Sequence, residues 1–357
     1  MTENQDKDRK IVVGVTHGDI NSISYEIIIK TFQDPRMLEL MTPVVYGTAK
    51  VASYHRKSLN INDFSFNIIR KADQMNHKKA NLVNLHDQEV KIDLGQSTEV
   101  AGELALMSLE AAVEDLKSGI IDVLVTAPIN KRNIQSPGFQ FPGHTEYLAS
   151  KFKSSDYLML MVGPQMRVGL VTGHKPLKDV AAVITEELVY SKIVTMHKTL
   201  VRDFGIRLPR IAVLGLNPHA GDNSLLGKEE AEIIIPAINR ALSEGMLAFG
   251  PFPADGFFGY SEFMKYDSIL AMYHDQGLVP FKTLSYDEGV NFTAGLPFIR
   301  TSPAHGTAYS LAGKDVANPD SFRAACFLAM DIHKTRKMNQ DLENGALQAS
   351  RSAEREN

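Results

Sequence analysis

The sequence contains almost no cysteine: its 357 residues include only Cys326, which lies in the apolar stretch RAACFLAM. A single cysteine can form neither an internal disulfide nor a structural zinc site. We expect Cys326 to be a small buried side chain of a late helix. The chain is therefore not a disulfide-stabilised domain.

Long apolar runs and an excess of positive charge are also absent. No segment approaches the roughly 18 apolar residues of a membrane helix, and the polar start MTENQDKDRK has no signal-peptide core. The formal net charge of −4 gives no reason to expect nucleic acid or an anionic membrane as a partner. We expect a cytoplasmic protein that binds anions through a few placed cations.

The pattern that is present is typical of a two-domain α/β protein. A length of 357 residues with 44% hydrophobic and 22% charged residues fits two globular domains. The apolar pattern predicts, in order, strand 11–17, a helix from about Tyr25, strand PVVYGT, helix 100–118 and strand 120–129. On helix 100–118, Leu104, Met107 and Ala111 share the predicted apolar face. This alternation favours a largely parallel sheet covered by helices.

The middle of the chain predicts a second domain with an antiparallel part. The segment DYLMLMVGPQMRVGLVTGH predicts two strands joined by a Gly-Pro turn. A long amphipathic helix with Val189, Ile193, Met196 and Leu200 follows, and then strands RIAVLGL and SILAMYH. We assign the chain as first domain 1–130 and 285–340, second domain 131–284, and a polar tail 341–357 that frays or is disordered.

Three of the 11 histidines stand in short loops after apolar strands: His174, His219 and His274. Ligands of open α/β sheets bind beyond the carboxyl ends of the strands, where such loops gather. Neutral imidazoles suit zinc or another first-row divalent ion, and three protein ligands leave a position open for substrate. The alternative is that each is an ordinary loop residue, because no local spacing joins the three.

Other polar residues suit an anionic ligand. His144 and Thr145 begin a predicted helix, whose N-terminus favours an anion; Thr145 and a nearby acid can also form a capping box, and both can hold together. Lys282, Asn291 and Arg300 stand among apolar or small neighbours. A lysine and an arginine together can bind a phosphate and a carboxylate. The alternative is that both are surface cations with partly buried stems.

No Gly-x-Gly-x-x-Gly fingerprint follows a strand, so an ordinary Rossmann site is not supported. Five segments instead resemble, in order and spacing, the motifs of the 4-hydroxythreonine-4-phosphate dehydrogenases: GHTEYLA, GHKPLKDV, LNPHAGDNSLLGKEE, MYHDQGLVPFK and GVNFTAGLPFIRTSPAHGTA. The resemblance covers roughly residues 11–335. It implies a fold like that of isocitrate and isopropylmalate dehydrogenases, with an active-site cleft between two α/β domains and a homodimer that shares its active sites.

The resemblance also implies roles for individual residues. A divalent metal (zinc, magnesium, cobalt or manganese) is expected at His174, His219 and His274, drawn from both subunits. Substrate contacts are expected from His144, Thr145, Lys282, Asn291 and Arg300. The segment 305–319 is similar to the adenine-binding loop of the isocitrate dehydrogenase group, which places His305, Gly306, Ala308 and Asn318 near NAD or NADP.

The first loop departs from the family pattern. The family usually has Gly-Asp/Glu-Pro-Ala-Gly-Ile-Gly-Pro-Glu there, whereas this chain has GDINSISYE from Gly18 to Glu26. Asp19 and Glu26 are kept, but both prolines and two glycines are replaced. The family therefore does not define the shape of this loop, or the fit of substrate and cofactor there.

The activity implied by the resemblance belongs to pyridoxal 5'-phosphate synthesis. It is the oxidation of 4-phosphooxy-L-threonine to 2-amino-3-oxo-4-phosphooxybutanoate, which decarboxylates to 3-amino-2-oxopropyl phosphate. The metal is expected to act as a Lewis acid on the oxidised alcohol. Asp255 and Asp275 are candidates for the catalytic base or for orienting groups.

Three alternatives remain. The first is a dehydrogenase of a phosphorylated sugar acid such as erythronate or threonate 4-phosphate. The second is a metal-dependent phosphatase, in which segment 305–319 has no role. The third is a non-catalytic metal-binding protein, which only the altered first loop supports.

Overall fold

The computed structural model describes residues 9–154 and 156–353, with side chains as far as residue 345. The first helices and strands are β1 (Ile11–Thr16), α1 (Ser24–Phe32), α2 (Pro35–Leu40), β2 (Met41–Gly47), α3 (Ala49–Ser58), β3 (Asn67–Ile69), β4 (Asn81–Asn84), α4 (Glu99–Lys117), β5 (Val123–Thr126) and α5 (His144–Lys151).

The later elements follow in the same order. They are β6 (Leu158–Val162), β7 (Arg167–Leu170), α6 (Leu177–Val183), α7 (Glu186–Phe204), β8 (Arg210–Leu214), α8 (Ile235–Ser243), β9 (Leu247–Phe252), α9 (Ala254–Gly259), β10 (Ser268–Ala271), α10 (His274–Leu284), β11 (Val290–Ala294), β12 (Arg300–Pro303) and α11 (Asp320–Ala353). Short 3-10 turns lie at Ala72–Gln74, Pro218–Gly221, Glu262–Lys265 and Tyr309–Leu311, and a π-helical turn at Glu230–Ile234.

The chain divides into two compact units. Unit 1 contains the described residues up to Lys153 together with Asp287–Asn291 and Phe298–Met330. Unit 2 contains Ser154–Tyr286, Phe292–Pro297 and the described residues from Asp331 onward. The division passes through β11 and α11.

Unit 1 is built on a parallel sheet. Its strands pair in the order β3-β4-β2-β1-β5-β12, each pair in parallel. Every residue of β2 and β5 is buried, which explains why these strands are continuous apolar runs rather than alternating ones. Helix α4 packs against β1, β2 and β5. Met107, predicted on its buried face, is 38% exposed, because α4 instead buries a stripe that includes Leu104 and Leu109.

Unit 2 combines one antiparallel pair with parallel strands. β6 and β7 pair antiparallel across the predicted Gly-Pro turn. β7, β10, β8 and β9 then pair in that order in parallel. The predicted amphipathic helix is confirmed as α7, on which Val189, Ile193, Met196 and Leu200 are fully buried.

The division differs from the predicted domains for Phe292–Pro297 and for the residues from Asp331 to 340, which were predicted in the first domain and lie in unit 2. It also differs for residues 131–153, which the sequence led us to place in the second domain. These residues pack within unit 1. The backbone of Asn133 lies so close to Gly102 of α4 that a Cβ there would be 1.9 Å from Asn133 O. The rings of Phe152 and Phe298 are in contact, with centroids 3.9 Å apart and planes tilted by 40°. The apolar pattern of 131–153 carries no information on which sheet it contacts.

The end of the chain also differs from expectation. α11 continues beyond Lys337 to Ala353, through most of the polar segment that we expected to fray or be disordered. Lys, Met, Gln, Glu, Leu and Ala dominate this segment, and all of them have high helix propensity. Cys326 is fully buried in α11, which confirms its predicted structural role. No helix in the described part of the chain combines the length and the apolar character needed to cross a bilayer.

Gly102→Ala tests the close approach that holds segment 131–153 in unit 1. The added methyl group meets backbone rather than a flexible side chain, so α4 must shift, and we expect a loss of about 1–3 kcal/mol of stability. Gly138→Ala is the matched control, because a Cβ there meets only ordinary contacts of 3.8 and 3.9 Å. Denaturant midpoints measure both variants, and equal midpoints would show that α4 accommodates the methyl group.

Candidate active site

The three predicted metal ligands all lie in unit 2, beyond the carboxyl ends of neighbouring strands. His174 follows β7, His219 follows β8 and His274 follows β10. Because β10 pairs in parallel with both β7 and β8, the three loops leave the same edge of the sheet. The side-chain amide of Gln276 donates to Gly215 O at 2.6 Å and ties two of these loops together.

Two of the three histidines are close to each other. The ring centroids of His174 and His274 lie 6.2 Å apart. Asp275 Oδ1 accepts a hydrogen bond from His274 Nδ1–H at 2.7 Å, so that Nε2 keeps the lone pair that a metal ligand uses. Within residues 9–154 and 156–353, no three His, Cys, Asp or Glu side chains are grouped closely enough to hold a metal ion. One copy of the chain therefore brings only a pair of the predicted ligands together.

His219 begins an unusual backbone turn. The six consecutive residues from His219 to Ser224 have positive φ values, between 43° and 84°. A left-handed conformation costs a non-glycine residue roughly 1–2 kcal/mol, and only Gly221 in this run escapes that cost. Such a conformation persists where surrounding contacts fix it, and it is typical of functional sites. We refer to residues 219–224 as the left-handed turn.

Unit 1 contains a buried polar cluster around Arg300, at the start of β12. Arg300 is 3% exposed, and its Nε and Nη2 donate to Thr126 Oγ1 at 3.0 and 2.6 Å. Nη2 also lies 3.2 Å from His144 Nδ1. Burial lowers the pKa of Arg300 to about 10, so the guanidinium remains charged at neutral pH.

His144 is held neutral and in one tautomer. Burial, reinforced by the charges of Arg300 and Lys131, lowers the pKa of His144 well below its ordinary value. A guanidinium can only donate, so Nδ1 accepts from Arg300 and the proton lies on Nε2. Nε2 is buried and has no hydrogen-bond partner within the described structure. Nε2–H is therefore a neutral donor whose hydrogen bond is not used among the described residues.

The helix that carries His144 begins as predicted. α5 starts at His144, with Gly143 as its N-cap and no side-chain cap bond. The alternative of a capping box built on Thr145 is therefore wrong, because Thr145 is the second residue of the helix rather than its cap. Thr145 is half-buried beside His144.

The other predicted substrate and catalytic residues divide between the units. Asn291 of β11 belongs to unit 1, and its Oδ1 is buried without a partner in the described structure. Lys282 is exposed on α10 of unit 2. Asp255 and Asp275 are both exposed in the first turns of α9 and α10.

The predicted nucleotide residues lie in an irregular segment of unit 1. Gly306 and Asn318 are exposed, and His305 is half-buried. Ala308 has a φ of 43° and precedes the short turn Tyr309–Leu311.

Buried acids of the first loop and of α1 hold this segment in place. Tyr309 donates from its hydroxyl to Asp19 Oδ2 at 2.7 Å, and Glu26 Oε1 accepts from Ala317 N at 2.8 Å. Burial and the contact with Asp19 raise the pKa of Tyr309 to about 12, so the hydroxyl stays protonated and can donate. Lys30 donates to Glu26 and to Asp315 and Ala317 carbonyl oxygens. Asp19 and Glu26 therefore support residues 305–318.

Side-chain hydrogen bonds shape the first loop, Gly18–Glu26. Asp19 Oδ1 accepts from Asn21 N at 2.9 Å. Ser22 donates from its hydroxyl to Asp19 O at 2.6 Å, and Ser24 donates to Pro128 O at 3.1 Å. Each of these bonds is donated by Asn21, Ser22 or Ser24, and all three residues differ from the family pattern.

Several residues of these clusters were missed in the sequence. Thr126, which contacts Arg300, stands at the carboxyl end of an apolar strand, the same context that singled out the histidines. Lys131 and Tyr309 have no such signal, because their roles depend on contacts with residues distant in the chain.

Comparison with known proteins identifies the family of the chain. The sequence profile of the family described as pyridoxal phosphate biosynthetic protein PdxA matches residues 39–329. A 4-hydroxythreonine-4-phosphate dehydrogenase from Bacteroides thetaiotaomicron is 51% identical over 332 residues, which cover 93% of this chain and 91% of that protein. A protein from Oceanobacillus iheyensis, provisionally named a D-threonate 4-phosphate dehydrogenase, is 37% identical over 92% of this chain and 99% of its own length.

A solved structure confirms the predicted α/β fold. The crystal structure of 4-hydroxythreonine-4-phosphate dehydrogenase from Klebsiella pneumoniae superposes with a TM-score of 0.78 at 34% identity, covering 91% of this chain and 100% of that chain. With a family profile that spans most of the chain and relatives of this similarity, the chain belongs to the PdxA family of pyridoxal phosphate biosynthetic proteins.

Proposed function

We propose that the protein is an NAD(P)- and divalent-metal-dependent dehydrogenase of 4-phosphooxy-L-threonine. Its product is 2-amino-3-oxo-4-phosphooxybutanoate, which decarboxylates to 3-amino-2-oxopropyl phosphate. The observation that carries the proposal is the buried pair of Arg300 and His144, which combines a cation with a neutral donor that has no hydrogen-bond partner in the described part of the chain. Family membership and 51% identity to the Bacteroides thetaiotaomicron enzyme support it.

Unit 1 is proposed to bind the substrate anion. Arg300 supplies charge, and its guanidinium is already oriented by two bonds to Thr126. His144 Nε2–H can donate a hydrogen bond to an anion oxygen, and the lowered pKa of His144 keeps the ring neutral, so it takes up no proton. Preorganised donors of this kind bind an anion without reorganisation. Asn291 offers a buried amide oxygen without a hydrogen-bond partner among the described residues, which can accept from a substrate hydroxyl or ammonium group rather than bind the anion.

Unit 2 is proposed to hold the metal through His174, His219 and His274. A divalent ion, when bound, supplies Lewis-acid stabilisation of the negative charge that develops on the oxidised alcohol oxygen. The donor set fits such an ion, since Asp275 leaves His274 Nε2 available and His174 lies beside it. We assign Asp275 to orienting His274, which leaves Asp255 as the candidate for the base.

A homodimer that shares its sites is also part of the proposal. Only two of the three histidines are close within one chain. Each histidine is followed within a few residues by an exposed large apolar side chain: Leu177 at 71% exposure, Leu225 at 78% and Val279 at 61%. Exposed apolar side chains of this size beside polar ligands are typical of surfaces that a partner covers. A second copy of the chain would cover these residues and supply the missing ligand.

The cofactor is proposed to lie at residues 305–318. A nicotinamide cofactor, when bound, accepts the hydride. The role of this chain is to hold the segment in one conformation, which Asp19 and Glu26 do through their hydrogen bonds with Tyr309 and Ala317. Both NAD and NADP fit the proposal.

The relative from Oceanobacillus iheyensis favours a second candidate, a dehydrogenase of a phosphorylated sugar acid such as threonate or erythronate 4-phosphate. That reaction uses the same anion and metal contacts and differs where the substrate amine lies. A phosphatase is disfavoured, because hydrolysis gives no role to a segment 305–318 that two buried acids hold in place.

Turnover with a panel of four-carbon phosphorylated acids tests the function. We expect reduced nicotinamide to form with 4-phosphooxy-L-threonine, and chelation or His219→Ala to abolish it. His86→Ala is the matched control, since His86 also follows a parallel strand, β4, but in unit 1. Faster turnover of threonate or erythronate 4-phosphate would favour the sugar-acid candidate. Release of phosphate without cofactor reduction would favour the phosphatase. Full activity after exhaustive chelation would contradict the proposed requirement for a metal.

Arg300→Ala tests the anion contact in unit 1, and Lys282→Ala tests the substrate contact that the sequence resemblance implies for α10 of unit 2. Loss of a charge-assisted bond to a desolvated anion is expected to cost about 1.5–3 kcal/mol, which raises the KM for the phosphorylated substrate at least about tenfold. Arg70→Ala is the control, because Arg70 is an exposed arginine of unit 1. A KM for Arg300→Ala equal to that of Arg70→Ala would contradict the assignment.

Mixing inactive variants tests the shared site. We would mix His174→Ala with His219→Ala, and separately His219→Ala with His274→Ala. If one ligand comes from the partner, at least one mixture forms heterodimers with one intact site. Random exchange makes about half the dimers heterodimers, so about a quarter of all sites recover. No recovery in either mixture after verified subunit exchange would show that all three ligands come from one chain.

A further inference from the structure

The left-handed turn that begins at His219 needs a fixed support. Its five non-glycine residues all have φ values between 43° and 69°. Hydrogen bonds within the turn, from Asp222 N to His219 O and from Leu225 N to Asp222 O, close it locally. Ala220 N also donates to Asn217 O at 3.1 Å, which joins the turn to Asn217 but does not fix the orientation of Leu216 and Asn217 themselves. A further contact must fix these two residues.

Glu230 provides that contact. It is 3% exposed, and its Oε1 accepts from Leu216 N at 2.8 Å and from Asn217 N at 2.7 Å. Its Oε2 accepts from Asn217 Nδ2 at 2.9 Å. Three donors from Leu216 and Asn217, two of the four residues between β8 and the turn, therefore converge on one buried carboxyl group, which fixes the geometry of this exit from the strand.

The surrounding backbone is shaped to admit this carboxyl group. A Cβ at Gly221 would lie 2.7 Å from Glu230 Oε2, and one at Gly215 would lie 3.2 Å from Oε1. Glycines thus stand on both sides of the group, before and within the turn. Glu230 itself opens the π-helical turn Glu230–Ile234, a rare element that is frequent at functional sites.

We propose that Glu230 is the positioning residue for His219: its buried carboxyl group fixes Leu216 and Asn217 and so holds the left-handed turn in the conformation that presents His219 to a divalent metal. This inference rests on the proposed role of His219 as a metal ligand. Glu230 touches neither metal nor substrate and acts only through the turn.

Cobalt affinity tests the proposal directly, because Co²⁺ bound by imidazoles has its own absorption spectrum. Glu230→Gln preserves shape but replaces one accepting oxygen by a donor that faces N–H groups. We expect the dissociation constant for Co²⁺ to rise at least about tenfold, as for other groups that orient metal ligands. Glu229→Gln is the matched control, since Glu229 also accepts from Asn217 Nδ2 but, unlike Glu230, accepts neither the Leu216 nor the Asn217 backbone N–H. We expect it to bind Co²⁺ within about twofold of wild type.

A double variant separates positioning from general destabilisation. In the His219→Ala background, which binds Co²⁺ more weakly, adding Glu230→Gln should change the affinity by less than about twofold, because Glu230 no longer has a ligand to position. Circular dichroism and thermal melting confirm the fold of each variant. Glu230→Asp keeps the carboxyl group but shortens its reach, and it replaces Glu230→Gln if that variant does not fold.

Each outcome decides the proposal. A weaker affinity for Glu230→Gln that disappears in the His219→Ala background supports it. An unchanged affinity in folded Glu230→Gln, or an equal loss in both backgrounds, overturns it while leaving the metal site standing. If His219→Ala binds Co²⁺ as tightly as wild type, the metal role of His219 fails and this inference fails with it.

Discussion

The parallel pairing of β10 with β7 and β8 is the constraint on which the candidate metal site depends. Parallel strands send their carboxyl ends to one edge, so three loops that are far apart in the chain become neighbours. The strands themselves are apolar and buried, and the chemistry is left to the residues that follow them. Unit 1 follows the same rule, because Thr126 is the last residue of the parallel strand β5 and the loop that carries Asp19 follows β1.

Buried polar groups then orient the residues that face a ligand. In unit 1 the guanidinium of Arg300 fixes the tautomer of His144, and in unit 2 the carboxyl group of Glu230 fixes the exit into the turn of His219. A group removed from water must be satisfied by hydrogen bonds of good geometry, so its neighbours have little freedom. Each buried group therefore holds in one orientation the histidine that faces the proposed ligand, His144 in unit 1 and His219 in unit 2.

Local pattern predicted what depends on local physics. The strands β1, β2, β8 and β10, the buried face of α7 and the placement of three histidines after strands follow from the period of apolar residues. The contacts of Glu230 and Tyr309 do not, because each joins segments that no spacing relates. Residues 131–153 were placed in the wrong unit for the same reason. The predicted buried face of α4 differs from the observed one, because helical spacing alone does not show that Leu109 is buried and Met107 exposed.

The altered first loop shows that one loop can be fixed by different means. Proline sets loop shape by fixing φ, and glycine does so by allowing conformations that other residues avoid. This chain lacks them at four positions where the family has them. Hydrogen bonds from Asn21, Ser22 and Ser24 take their place. Asp19 and Glu26 still reach Tyr309 and Ala317 in the proposed cofactor segment. The altered loop was the only feature that favoured a non-catalytic metal-binding protein, and a buried loop that keeps both acids in contact with that segment no longer favours it.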